Sequence, residues 1–169
     1  MTQTRPVLLT QASEAELIGQ DPTAIRLHRD ASATDGLLST QEVRLGVGRD
    51  GAVPHYHARS HELFYVAEGE LQVLADGKIR TLSAGGSLVV PKHVVHAFGA
   101  SPGSAVRVFI ALTPGVERFE YFRVLERIER GQTSVQELLD NQETYDTYFV
   151  DAPEWARERA AGRSETARG

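Results

Sequence analysis

Residues 51–69 read GAVPHYHARSHELFYVAEG and residues 85–100 read GGSLVVPKHVVHAFGA. Between them they hold five of the six histidines: His55, His57, His61, His93 and His96. Pro54 restricts Val53 to extended backbone, so the His-Tyr-His that follows is expected on a strand. Side chains two residues apart on a strand share a face, about 7 Å apart along the backbone, and two imidazoles can converge on one ion. Ala58 to His61 leaves room for a turn. Glu62 then opens a second strand, ELFYVA, whose positions Glu62, Phe64 and Val66 share the inward face. His96 returns much later, after a Val-Val-Pro strand end. Three nitrogens and one carboxylate suit a divalent transition metal, so His55, His57, Glu62 and His96 are the expected ligands. A His-X-His pair alone would be an ordinary exposed pair; the added glutamate and third histidine set it apart. His61 falls on the opposite side of its strand, His93 sits in a turn, and His28 stands alone. None of the three is assigned as a ligand.

Working outward, residues 37–112 carry short apolar runs broken by Gly, Pro and Asp-Gly, the texture of a sandwich or barrel. Asp76-Gly77 is the strongest hairpin signal. Upstream, Ser13 and Glu16 have capping-box spacing for a short helix, SEAELIG, stopped by Gly19. Downstream of Thr113-Pro114-Gly115 the period becomes helical, with Tyr121, Val124, Leu125 and Ile128 on one face and Gly131 as the stop. Phe119 and Phe122 fall off that face, which suggests packing on the barrel or against a second subunit. Ser134 with Glu137 caps a second helix, VQELLDN. The expected division is a lead-in over 1–36, a barrel over 37–112, a helical extension over 113–150 and a flexible tail over 151–169.

The whole chain has 169 residues, 41% hydrophobic and 24% charged, the size of one domain with a substantial core. A net charge of −5 and no basic stripe argue against nucleic-acid binding. The absence of cysteine excludes disulfides, thiolate metal sites and cysteine nucleophiles. No apolar run approaches the ~20 residues of a membrane span, and the first residues lack a signal-peptide pattern. A cytoplasmic protein with no membrane partner is expected.

The two histidine segments resemble the two cupin motifs. The first is realised as His55, His57, Glu62 and Gly69, and the second as Gly85, Pro91 and His96. The resemblance implies an all-β jelly-roll barrel with the metal inside, here with a short N-terminal lead-in and C-terminal α-helices. Two positions depart from the pattern: His93 stands where a glycine is usual, and Ala100 where an asparagine is usual. Within cupins the chain resembles the small single-cupin quercetin dioxygenases, through HYHARSHELFYVAEGEL, VVPKHVVHAF, TPGVERFEYFRVL and QETYDTYF. That likeness implies one Mn, Fe, Co, Ni or Cu ion per chain. It implies that Glu62 takes the proton of a flavonol hydroxyl before dioxygen cleaves the central ring with loss of carbon monoxide.

Phe64, Val66, Leu88, Val90, Phe98 and Phe109 are the expected pocket walls, suited to a small, flat hydrophobic aromatic substrate. Two other readings stay open: a non-redox cupin enzyme such as a polyketide cyclase or isomerase, for which zinc suffices, and a small-molecule-binding cupin. Two motif matches are set aside. Gly46 to Gly51 spells GxGxxG but is followed by extended chain rather than a helix. Gly99 to Gly103 spells GxSxG, yet Pro102 after the serine has no N–H for an oxyanion hole. Phe119, Phe122 and exposed strand edges suggest a homodimer.

Overall fold

In a computed structural model describing residues 6–166, ten strands and four helices follow one another along the chain. The extreme ends of the expected lead-in and tail, 1–5 and 167–169, lie outside the described residues. The strands are β1 (Glu16–Gln20), β2 (Thr23–Arg29), β3 (Ser39–Leu45), β4 (His55–Tyr56), β5 (His61–Ala75), β6 (Lys78–Ser83), β7 (Ser87–Val90), β8 (His96–Ala100), β9 (Val106–Thr113) and β10 (Tyr148–Phe149). The helices are α1 (Phe119–Glu129), α2 (Gln136–Asp140), α3 (Gln142–Tyr145) and α4 (Pro153–Thr166). All strand pairs are antiparallel. They form two leaves, β1-β2-β3-β9-β5-β7 and β6-β5-β8-β4-β10, which share the long strand β5. This is the jelly-roll barrel expected from the sequence.

β5 joins the leaves because it bends. Its first half pairs with β7 and β9, and its second half pairs with β6 and β8. A register shift between Val66 and Glu68 marks the bend, and Gly69 follows at φ 72. A Cβ on Gly69 would run into the Ala105 carbonyl, so the corner is reserved for glycine. At the far end of β5, Asp76 and Gly77 both have left-handed φ (53 and 64), the two-residue turn that closes the hairpin to β6.

The inward positions of both leaves meet in one core containing Phe64, Val66, Leu71, Val73, Val90, Phe98, Val108, Ile110 and Leu112. Each such side chain contributes about 1.5–3 kcal/mol when fully buried. Phe64 and Phe98 pack edge to face at 5.4 Å.

Three sequence expectations are corrected. SEAELIG is not a helix. Glu16–Gln20 is strand β1, hairpinned to β2, and the preceding turn is held by the Glu14 carboxylate accepting from the Gln11 N–H. A one-turn helix gains little by itself. Strand pairing satisfies the backbone and places Ile18 against Leu27, Tyr121 and Val124. The sheet therefore begins well before residue 37, inside the expected lead-in.

The second correction concerns the phenylalanines as a subunit contact: of the two readings, packing on the barrel holds. Phe122 is buried with Ile18, Leu27, Val124 and Leu138, and Phe119 packs on the same cluster, so the chain covers them itself. α1 otherwise ends as expected, with Gly131 at φ 68. Ser134 accepts from the Glu137 N–H through its carbonyl rather than its hydroxyl.

Third, the tail is ordered through most of its length as α4. Trp155 packs with Leu74, Ala97 and Ala152 on the outside of the second leaf. One turn on, Arg159 donates to the Asp50 carboxylate, the Gln72 side chain, and the carbonyls of Gly48, Arg49 and Ala100. Without α4 the outer faces of β5 and β8 would expose Leu74 and Ala97. Among the described residues no helix is long and apolar enough to cross a membrane.

Candidate metal centre

His55 and His57 flank Tyr56 at β4, Glu62 lies in the first half of β5, and His96 opens β8. Strand pairing assembles them. His55 is the register partner of His96, and His96 is also the partner of Ala75 at the far end of β5. All four side chains are buried, His57 to 2% exposure and His96 to 1%. Their ligand atoms lie within 4.8 Å of one another. One ion with bonds of about 2.0–2.2 Å bridges such a set after shifts of a few tenths of an ångström.

The outer nitrogen of each ring is spoken for. His55 Nδ1 donates to the Val53 carbonyl at 2.7 Å and His96 Nδ1 to the Val94 carbonyl at 2.9 Å. His57 Nδ1 donates to the Asp146 carbonyl at 2.5 Å. A carbonyl only accepts, so each Nδ1 carries a proton and each Nε2 is left as the inward candidate ligand atom. Glu62 Oε2 lies 2.7 Å from His96 Nε2 and 3.2 Å from His57 Nε2, distances at which each pair shares a proton. A divalent cation held by all four groups would take the place of those shared protons. The donor set therefore fits a divalent metal ion.

The electrostatics agree. Burial pushes the His55 imidazole well below its usual range, and the neighbouring His96 and His57 rings add to the effect, which favours the neutral form a ligand needs. Burial alone would raise the Glu62 carboxyl. The facing His57 and His96 rings outweigh it and hold the group well below the usual carboxylate range.

Of the expected walls, Phe64, Val66, Val90 and Phe98 are buried in the barrel core, and Leu88 packs against it. Phe64 lies edge-on to His96, with ring centroids 6.3 Å apart. Phe109 is the exception and is corrected here. On β9 the inward residues are Val106, Val108, Ile110 and Leu112, so Phe109 turns to the outer face, 6.0 Å from His28. Ile110 takes the inward place. The signal was present in VRVFIAL: Arg107, two residues before Phe109, marks the outer parity.

His61 and His93 are exposed and not part of the cluster. His93 adopts φ 67, which explains why glycine is usual there, and its N–H donates to the His57 carbonyl at 2.7 Å. Its side chain does not alter the barrel interior. Ala100 is fully buried in the core. A surface hollow of about 240 Å³, lined by Leu17, Arg26, Glu42 and Arg44 among others, shares no residue with the site. Its two arginines, Arg26 and Arg44, both pair with Glu42, which also meets Arg107.

The cupin domain family matches residues 41–112, the segment that carries all four candidate ligands. Protein SchB of Streptomyces halstedii is 32% identical over 96 residues, covering 57% of this chain and 67% of SchB. The chain belongs to the cupin family. Quercetin 2,3-dioxygenase of Bacillus subtilis is 35% identical over 107 residues, covering 61% of this cupin but 31% of the dioxygenase. Polyketide synthase CurC of Streptomyces cyaneus is 33% identical over 82 residues, covering 48% of this chain and 51% of CurC. This cupin thus matches about a third of the length of one of these relatives and about half of the other. Among solved structures, an RmlC-like cupin from Shewanella frigidimarina superposes with a TM-score of 0.55 at 24% identity, over 72% of this chain and 99% of that one. This last likeness speaks to the fold.

Proposed function

We propose that this cupin is a metal-dependent dioxygenase acting on a flat, enolisable aromatic substrate of the flavonol type. The observation that carries the reading is the donor set: three imidazoles locked through Nδ1, one ionised carboxylate, and the aromatic wall of Phe64 and Phe98 beside them. The identity shared with quercetin 2,3-dioxygenase supports it.

His55, His57, Glu62 and His96 would hold one Ni, Mn, Fe, Co or Cu ion. Such an ion supplies Lewis acidity towards an acidic hydroxyl and redox chemistry towards dioxygen. Glu62 takes the proton of that hydroxyl on a carboxylate oxygen, which requires the ionised form its surroundings favour. Phe64, Val66, Leu88, Val90 and Phe98 pack the substrate ring and exclude water. Both oxygen atoms of O2 end in the ring-opened product while one ring carbon leaves as carbon monoxide, so no external reductant is needed. The chain would act as a homodimer. Exposed Leu17, Tyr65 and Val89 support that assembly in place of the self-covered Phe119 and Phe122.

Oxygen uptake by metal-loaded protein given quercetin tests the reading. One O2 consumed and one CO released per quercetin lost supports it, with Glu62→Gln losing about 100-fold or more in rate. No uptake with any of the five metals contradicts it. The similarity to CurC favours a second reading, a non-redox cyclase or isomerase that zinc would serve. Turnover that proceeds equally well without oxygen would select it.

A further inference from the structure

Two of the three candidate ligand rings are oriented locally, since His55 and His96 each donate to the carbonyl two residues before them. His57 is different. Its Nδ1 partner, the Asp146 carbonyl, lies 89 residues away in the C-terminal extension. We propose that Asp146 is a positioning residue for the metal site, holding both the His57 ring and the turn that separates His57 from Glu62. The proposal rests on the metal-dependent reading above.

Asp146 is fully buried, and its carboxylate is used entirely on that turn. Oδ1 accepts from the N–H of Ala58 at 2.8 Å and of Arg59 at 3.1 Å, and Oδ2 from the N–H of Arg59 and of Ser60, each at 3.1 Å. These three consecutive residues are the link between the two ligand strands. The same residue therefore fixes the ring through its carbonyl and the link through its carboxylate. Charge-assisted bonds from successive amides are stronger than neutral ones, and a buried carboxylate without them would be costly.

The segment around Asp146 is itself held. Asp146 ends α3 in the left-handed conformation (φ 51, ψ 41), which aspartate tolerates better than most residues. On either side of it, buried Arg118 donates to the Tyr145 carbonyl at 3.5 Å and to Thr147 Oγ1 at 3.1 Å. Ser60 Oγ donates to the Pro114 carbonyl at 2.7 Å, tying the other end of the link to the start of the extension. The extension thus acts as a jig that sets the spacing of two ligands. A residue that served the fold alone would need no contact with a ligand ring.

The experiment titrates metal-free protein with Co(II), reading affinity and the visible spectrum of the bound ion at a temperature where every variant is folded. Asp146→Asn keeps the size and the backbone carbonyl but turns an NH2 group towards amide donors. Its Co(II) affinity is expected to fall about 10–100-fold, with an altered spectrum. Arg159→Met, which loosens the fold at α4, is expected to keep the wild-type affinity and spectrum. Wild-type affinity and spectrum in folded Asp146→Asn would overturn the proposal and leave the metal reading standing. Failure of the wild-type chain to bind Co(II) would overturn both. Should Asp146→Asn not fold, nitrogen NMR on metal-free wild-type protein decides: a proton on His57 Nδ1 supports the arrangement, and a bare Nδ1 overturns it.

Discussion

His55 of β4 and His96 of β8 stand directly opposite each other across an antiparallel pair, their ring centroids 4.2 Å apart. Two buried imidazoles this close cannot both carry charge cheaply, and His57 lies 4.9 Å from His55 in the same cluster. Keeping His55 neutral and Glu62 ionised leaves the cluster in a state that suits a divalent cation.

The stability of the metal-free protein should follow from this. His55 has a folded pKa pushed below its unfolded value of about 6.5, first by burial and then by its neighbours. The unfolded chain therefore takes up the proton first as pH falls. The stability this group contributes is present above about pH 6.5 and is lost as pH drops below it. Glu62, also depressed, adds a loss of the same sign starting nearer its unfolded value of about 4.3. Urea midpoints of chelator-treated protein should decline as pH falls from about 7.5 to 5.5, and decline less in His55→Leu. A flat profile would contradict the assignment.

Arg159 ties α4 to three separate stretches of the barrel. Replacing it with methionine leaves the Gln72 side chain and the Ala100 carbonyl without their buried donor. Asp50 is half in solvent and recovers its hydration, so the cost is expected at about 2–3 kcal/mol. Urea unfolding monitored by Trp155 fluorescence measures it. A loss below about 0.5 kcal/mol would show that α4 is not anchored there.

Phe122 tests whether α1 faces its own barrel or another subunit. Because it is buried within the chain, Phe122→Ala is expected to lower stability by about 3–5 kcal/mol without changing the mass seen by light scattering. A change of mass with unaltered monomer stability would restore the subunit-contact explanation.

His93→Gly should stabilise the protein. An L-residue held at left-handed φ costs about 1–2 kcal/mol, and glycine returns part of that as unfolded-state entropy, leaving a gain of up to about 1 kcal/mol. The side chain is exposed, so metal content should not move. Destabilisation would mean that the His93 ring, 6.2 Å from Tyr56, makes a contact of value.

The barrel and three of the four candidate ligands were legible because their signals are local: alternation along β5, the Asp76-Gly77 turn, and a His-X-His followed by glutamate; His96 came with the second histidine segment. What escaped the sequence depends on distant chain. Ile18 is apolar in either a helix or a strand, and only its cluster with Leu27 and Tyr121 selects the strand. The charged run around Arg159 looked solvated, although Trp155 and Arg159 sit one helical turn apart and both are buried. The Asp146 carbonyl is a backbone atom, and no residue type announces what a backbone carbonyl will hold.

The central claim is tested most directly by metal content, measured by mass spectrometry on protein purified without a histidine tag, beside Glu62→Ala and His96→Ala. The expected result is close to one first-row transition-metal ion per chain in the wild type, lost in both variants. A wild-type chain that holds no metal, even after reconstitution with several divalent ions, would contradict the account.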